Sequence, residues 1–397
     1  MTATHSALHP SVSPIILPRD HTMKALFLFE FPTSQQEWLM PTLIDALKSE
    51  IPDLKSDYVH GVLKTYDSTG LTLPRLLNMA YIYLMLPFRL LLNRPDITLV
   101  RTTPPCIQLY MAFWCWILRI PSICWLMDYH PEIEARYFEQ KPFLKPLSRL
   151  LRKVDTWLLN KFKVIIALDP AIAQLCKERA PEIPVIIHPT WSQDLEEPAV
   201  SAKDTYKPSL HKLNLAYAGN LGKAHAINAL EHTLERLSTK TKVELHVINC
   251  PQEVQSQFKA IAQKTNTALQ FYPRQKKEEL QRLMQDLNID FGIVLMKSIY
   301  AGLVSPSKFT GYLLTGVPIL YLGPKHTNAD CVCRDFKAGL ALEPKVPQEA
   351  LNAFCEKCLS TEERLALRSQ VTPTANHFAS LGPNILAKKL APYFLKK

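Results

Sequence analysis

Ser305-Pro306-Ser307-Lys308 is the stretch of this chain whose residue types are best suited to holding an anion. Serine is a good helix N-cap, proline fits a first helical turn, and the free N–H groups of a helix start act together with a lysine ammonium on the same negative charge. Gly316-Val317-Pro318 stops that helix, and Ile319 to Leu322 reads as a core strand. Turn, helix and strand in this order suit a nucleoside-diphosphate pocket. An ordinary capped helix start is the other reading of the same residues.

A second anion-compatible stretch is Tyr217 to His225 (YAGNLGKAH). A strand runs into a loop where Gly219 and Gly222 let a backbone approach a ligand and Lys223 adds a cation. The glycine spacing is not that of a dinucleotide fingerprint. Cys331-x-Cys333 and Cys355-x-x-Cys358 supply four thiols with short spacings that zinc accepts, although Cys-x-Cys is tighter than a usual knuckle and free cysteines are commonly small buried residues. The reading therefore calls for no metal. Scattered basic residues without a recognised motif argue against nucleic acid.

These loops need a scaffold, and 397 residues with 47% hydrophobic and 21% charged side chains suffice for two domains with separate cores. Short apolar runs at Lys24 to Phe31, Ile97 to Arg101, Ser122 to Met127 and Val164 to Leu168 alternate with helical segments. Leu213 to Ala218, Val243 to Ile248, Leu269 to Tyr272, Phe291 to Leu295 and Ile319 to Leu322 repeat the arrangement. Such alternation predicts α/β architecture, with parallel sheets covered on both faces. The expected division is a disordered tail over 1–22, rich in Ser, Thr, Pro and His, a Rossmann-like domain over 23–193, a polar linker over 194–212, and a second Rossmann-like domain from 213. The cleft between them, at the carboxyl ends of the strands, is the expected site.

Charge is placed unevenly. Residues 1–200 carry 20 basic and 20 acidic side chains, whereas 201–397 carry 26 and 16, so the net charge of +10 lies wholly in the second half and suits an anionic ligand. Within the first half, residues 64–163 carry 14 basic and 7 acidic side chains and hold the most apolar segments, a composition suited to an anionic membrane surface. Leu71 to Asn93 is interrupted by Pro74, Arg75, Pro87 and Arg89, and Cys106 to Leu118 is only 13 residues long. Both therefore predict core packing or monotopic contact rather than a span. Nine cysteines without a framework, and no signal-peptide pattern, lead to the expectation of a cytoplasmic protein held peripherally at the inner face of the cell membrane.

The glycine loop at Gly219 and the Ser305 to Lys308 turn about 85 residues later together resemble the second domain of GT-B glycosyltransferases of family four. Thr102-Thr103-Pro104-Pro105, Leu126 to Glu132 (LMDYHPE) and Ile186 to Trp191 (IIHPTW) sit where that resemblance expects them. The pattern is most similar to the branch that builds bacterial cell-surface polysaccharides and runs from about Met23 to the C-terminus. It implies two Rossmann-like domains facing a central cleft, with the donor domain over 213–375 and a C-terminal helix over 376–397 crossing back to the acceptor domain.

The resemblance also implies transfer of a sugar from a UDP- or GDP-sugar to a lipid-linked or polysaccharide acceptor, retaining and without cofactor or metal. Gly219, Asn220, Gly222, Lys223, Ser307 and Lys308 would hold the diphosphate, and Pro273 with Arg274 would meet the nucleobase. Asp128 and His130, with Glu132, would face the acceptor and sugar. A backbone-bonded structural role for His130 and an N-cap role for Asp128 remain the alternatives. Two family glutamates with seven residues between them are replaced by Leu303 and Gly311, and Glu30 to Ser34 stands where a glycine-rich loop is expected. A degenerate protein that binds a nucleotide or a glycan-assembly partner without turnover is therefore the competing expectation.

Overall fold

The computed structural model describes residues 22–30, 38–63, 72–191 and 206–395. The expected tail apart from Thr22, residues 31–34 of the first loop, the linker up to residue 205 and residues 396–397 lie outside the described residues.

The first half alternates strands β1 (Met23–Leu28), β2 (Leu54–Val59), β3 (Ile97–Arg101), β4 (Ser122–Leu126), β5 (Val164–Ala167) and β6 (Val185–Ile187) with helices α1 (Leu39–Glu50), α2 (Leu73–Asn93), α3 (Ile107–Leu118), α4 (Glu132–Glu139), α5 (Lys145–Leu159) and α6 (Pro170–Arg179). Every described strand pairing is parallel and the order is β2-β1-β3-β4-β5-β6. The central strands β3, β4 and β5 are buried at every residue, as continuous apolar runs in a sheet covered on both faces must be. Trp125 of β4 stacks on Trp191 at 5.5 Å, so the Ile186 to Trp191 stretch ends by plugging the core.

The second half repeats the pattern with strands β7 (Lys212–Ala218), β8 (Lys242–Ile248), β9 (Ala268–Tyr272), β10 (Phe291–Leu295), β11 (Ile319–Leu322) and β12 (Gly339–Leu342). Its helices are α7 (Ile227–Ser238), α8 (Gln252–Lys264), α9 (Lys277–Asp286), α10 (Lys308–Leu314), α11 (Asn328–Arg334), α12 (Gln348–Leu359), α13 (Thr361–Ser369), α14 (Val371–Ser380) and α15 (Pro383–Leu395). This sheet is also parallel, in the order β12-β11-β10-β7-β8-β9. Asp290, directly before β10, is a buried hub, bonded to Arg364 Nη1 at 2.8 Å, to the Asn214 backbone N–H at 2.7 Å and to the Tyr206 hydroxyl at 2.5 Å.

Near the chain end, α14 packs on α10 through Phe378 and Phe309, whose rings lie 5.0 Å apart, so residues 376–380 stay with the second half. The return to the first half is made by α15. Its Leu386, Ala387, Leu390 and Phe394 join the first core beside α1.

A segment of the second half also docks on the first. Leu303 is 1% exposed and belongs to the first core, and its carbonyl accepts from the Tyr129 N–H at 2.7 Å. Arg136 of α4 donates to the Ile299 and Ala301 carbonyls at 2.6 and 3.1 Å, and Asn328 Nδ2 donates to the Leu168 carbonyl at 2.8 Å. Gly302 has φ +73°, and a Cβ there would sit 2.9 Å from the Ala171 carbonyl oxygen, so this close approach needs glycine.

Candidate active site

At the carboxyl end of the second sheet, α10 is fixed by Tyr312. Its hydroxyl accepts from the Ala218 N–H at 2.7 Å and donates to the Ala216 carbonyl at 3.2 Å, while its ring lies flat against Gly292, where a Cβ would meet it at 2.3 Å. This anchor sets Lys308, the first residue of α10, over the end of β7. The Lys308 ammonium donates to the Tyr217 hydroxyl at 2.6 Å and to the Asn220 carbonyl at 2.5 Å, and it stands 3.9 Å from the Tyr217 ring centroid. Burial pushes the amine down to about 7, opposed only by the Cys250 thiol. Gly219, at φ +95°, lets the chain turn away with a would-be Cβ 3.7 Å from Lys308 Cε.

Ala218, Gly219, Asn249, Leu280, Ser307, Lys308, Thr310, Gly311 and Tyr312 line a cavity of about 280 Å³ here. A neighbouring cavity of about 350 Å³ is lined by Asn249, Cys250, Pro251, Gln255, Phe271, Tyr272, Pro273 and Arg274. Asn249 borders both. It sits after β8 in the left-handed region, φ +57°, and its Oδ1 accepts from the Gln275 N–H at 2.6 Å, which holds the 273–275 turn in place. Sequence reasoning missed Asn249. The available signal was an Asn-Cys-Pro triplet directly after a strand, since asparagine tolerates that backbone region.

The structure thus brings Gly219, Ser307 and Lys308 together, with Pro273 and Arg274 alongside. Asn220 contributes its carbonyl, its side chain being exposed. Gly222 and Lys223 stand apart from both cavities: the Gly222 N–H donates to His225 Nδ1 at 2.6 Å, and the exposed Lys223 offers its carbonyl to the Lys297 ammonium at 2.8 Å. Burial and the nearby Lys308 push His225 down to about 4, against the contact of its Nδ1 with the Gly222 carbonyl at 3.0 Å. Nor do the serines cap as expected. Ser307 occupies the N-cap position without a side-chain cap bond, and Ser305 turns to Asn328 Nδ2 at 3.3 Å, because Asn328 and the buried Asp169 lie across the junction of the halves. Burial raises Asp169 to about 6, against hydrogen bonds that include the Ser305 hydroxyl.

The first half supplies the loop after β4. Asp128 is solvent-exposed but walled by protein at longer range; that loss of water raises its carboxyl, while His130 and Arg101 lower it. It caps no helix by its side chain, since Pro131 holds the N-cap position of α4. His130 Nδ1 faces Glu134 Oε1 at 2.5 Å and the His130 carbonyl accepts from Gln108 Nε2, so the ring is oriented by a carboxylate that the sequence reading did not name. Glu132 is the correction here. It is buried among Arg136, Arg152 and Arg179, which hold its carboxyl below the usual range although burial alone would raise it. A carboxylate so engaged supports the α4 to α6 framework and is not available to a sugar.

The four thiols of the zinc reading do not meet. Cys355 and Cys358 lie in one core cluster of the second half and Cys333 in another, and all are free.

No protein-family model matches the chain, and a search of curated proteins finds no match. Solved structures do match. The Anabaena Alr3699/HepE structure in complex with UDP superposes with a TM-score of 0.58 at 14% identity, covering 94% of this chain and 99% of that one. WaaG, described as a glycosyltransferase involved in lipopolysaccharide biosynthesis, gives 0.57 at 14% identity over 94% and 100%. Sucrose-phosphate synthase from Thermosynechococcus elongatus gives 0.61 at 11% identity over 94% and 98%. With two six-stranded parallel sheets, helices on their faces and near-complete coverage of such structures, the chain has the two-domain GT-B fold.

Proposed function

We propose that this protein is a retaining, metal-independent glycosyltransferase that moves a sugar from a UDP- or GDP-sugar to a lipid-linked or polysaccharide acceptor. The observation that carries the proposal is the Lys308 ammonium, held by Tyr217 and Asn220 at the mouth of the 280 Å³ cavity. As the bond between the sugar's anomeric carbon and the diphosphate oxygen breaks, charge grows on the leaving oxygen, and a fixed ammonium stabilises it without a metal. The acceptor oxygen forms the new bond to the anomeric carbon and gives up its proton to the departing diphosphate, on which the negative charge has grown. His130, oriented by Glu134, and Asp128 are the first-half groups assigned to acceptor and sugar. The neighbouring cavity of Pro273 and Arg274 is assigned to the base. UDP in the HepE structure, and the lipopolysaccharide role of WaaG, support the donor and acceptor classes.

Leu303 and Gly311 favour a second reading, binding without turnover. At the two positions where the resembled family carries glutamates, Leu303 is buried in the first core and a Cβ on Gly311 would meet nothing within 4 Å. Incubating the protein with UDP- and GDP-sugars and a polyprenyl-diphosphate acceptor extract, then measuring both nucleotide release and binding, separates the two. Release with labelled acceptor supports transfer, binding without release supports the second reading, and absence of nucleotide binding refutes transfer and non-catalytic nucleotide binding alike.

A further inference from the structure

We propose that the outer face formed by α2, α3 and α5 docks in the plane of an anionic lipid bilayer. The three helices form one layer, α2 against α3 and α3 against α5. Aromatic contacts make it continuous: Tyr83 lies 5.3 Å from Tyr110, and Trp116 lies 5.1 Å from Trp157. Large apolar side chains project from all three, among them Leu84, Phe88 and Leu92 (80% exposed) on α2, Trp116 on α3 and Leu150 on α5, with Phe143 (77% exposed) in the turn before α5. A surface of this kind marks a partner.

The charge selects which partner. α2 and α3 contain no Asp or Glu, and α5 contains one, Asp155, which is buried against Arg179. The exposed basic residues Arg94, Arg119, Lys145, Arg149 and Lys153 lie on these helices or at their ends. Lys161 stands over the Trp116 and Trp157 rings at 5.8 and 5.4 Å, and with Lys153 and Trp157 it lines a shallow hollow of about 490 Å³. Cations interleaved with tryptophan and leucine match the phosphate and upper acyl layers of a bilayer.

Helix α2 is long and apolar enough to cross a membrane by length and composition. Its packing fixes it to the surface instead. Asn78, Ile82, Leu86 and Leu90, spaced four apart, are buried, and Asn78 bonds the Val62 and Leu63 N–H groups and the Leu63 carbonyl. A spanning α2 would have to strip this stripe from the first core, so the helix lies along the surface.

The proposal is independent of catalysis, and the test uses the full chain. It compares flotation with vesicles of phosphatidylglycerol and phosphatidylcholine against vesicles of phosphatidylcholine alone. The expected result is preference for the anionic vesicles, lost at high salt. Lys145→Gln/Arg149→Gln/Lys153→Gln should lower partitioning about 100-fold, from roughly 1 kcal/mol per basic side chain. Leu84→Ser/Phe88→Ser/Leu92→Ser should lower it on both vesicle types, and circular dichroism checks that both variants remain folded. Equal binding to both vesicle types, or unchanged partitioning of both variants, overturns the proposal. So does a dimer in solution that the serine variant dissociates while wild-type protein ignores vesicles.

Discussion

Lys308→Met removes one charge and keeps most of the aliphatic stem. Two of the three ammonium N–H donors go to Tyr217 and Asn220, and the third is the one a diphosphate oxygen would take. A charged hydrogen bond contributes about 1.5–3 kcal/mol, so affinity for a nucleoside-diphosphate sugar should fall roughly 10- to 150-fold. The amine adds a pH signature. In the free protein it titrates near 7 because burial disfavours its charge. A bound anion favours the charged form and raises that value, so binding above pH 7 takes up a proton and affinity falls by up to about tenfold per pH unit. Below 7 the amine is already charged and affinity is flat.

The sign for folding follows from the same depression. Between about 7 and the usual 10.5 the unfolded chain binds more protons than the folded one, so ligand-free stability rises with pH across that window; the burial penalty is fully present below 7. Isothermal titration calorimetry at pH 6.5, 7.5 and 8.5, in buffers of different ionisation enthalpy, reads affinity and proton uptake together. A nucleoside-diphosphate sugar is the right probe because its diester phosphates do not titrate there. Proton-neutral, pH-independent binding by wild-type protein, or wild-type affinity in Lys308→Met, would refute the assignment and leave the turn as a plain helix start.

Asn249→Gly keeps the left-handed backbone at no steric cost and removes the amide that holds the Gln275 N–H. UDP or GDP, whichever binds, should weaken about 5- to 10-fold, the scale of one neutral hydrogen bond, while pyrophosphate binding stays constant; an equal loss for both would place Asn249 outside the base site. Arg364→Met leaves Asp290 without its guanidinium in the core, where the two are 2% and 1% exposed, and should cost about 3–5 kcal/mol in chemical denaturation. Adding Asp290→Asn should recover part of that loss, and no recovery would mean that the pair's charge is not what the core depends on.

The strands most legible in the sequence are those buried on both faces. Phe291–Leu295 and Ile319–Leu322 lie where their uninterrupted apolar runs place them. β2 escaped because LKSDYV interrupts its apolar residues with charge, as a strand at the sheet edge allows. β12, four residues at the opposite edge of the other sheet, is too short to register as a run. Pro74 and Pro87 read as breaks in 71–93, yet α2 is continuous. Pro74 lies in its first turn, where no intrahelical N–H is needed, and tertiary packing of the Asn78, Ile82, Leu86 and Leu90 stripe offsets the bond lost at Pro87. In the site, Gly219 and Lys308 were legible because each carries its role in its type. Tyr217 and Asn249 were not, since a strand tyrosine and a loop asparagine acquire their partners only when residues 91 and 26 positions away come to meet them.

The two departures from the resembled family have opposite structural consequences. At 303 the side chain has left the donor side altogether: Leu303 is packed in the first core and its backbone is tied to Tyr129, so this position holds the halves together. A carboxylate there would be buried among apolar groups at a cost of several kcal/mol, so in this arrangement leucine and a sugar-holding glutamate exclude one another. At 311 nothing fills the space. Glycine leaves the cavity wall open beside Thr310 and Ser307, and a ribose there would meet hydroxyls and backbone rather than a carboxylate. Neither change touches the Lys308, Tyr217 and Asn220 contacts or the Asn249 turn. Under the proposed function, diphosphate and base recognition would therefore be separable from sugar recognition, and the first-half loop of Asp128 and His130, across the junction that Leu303 closes, is the proposed source of the groups that orient the transferred sugar.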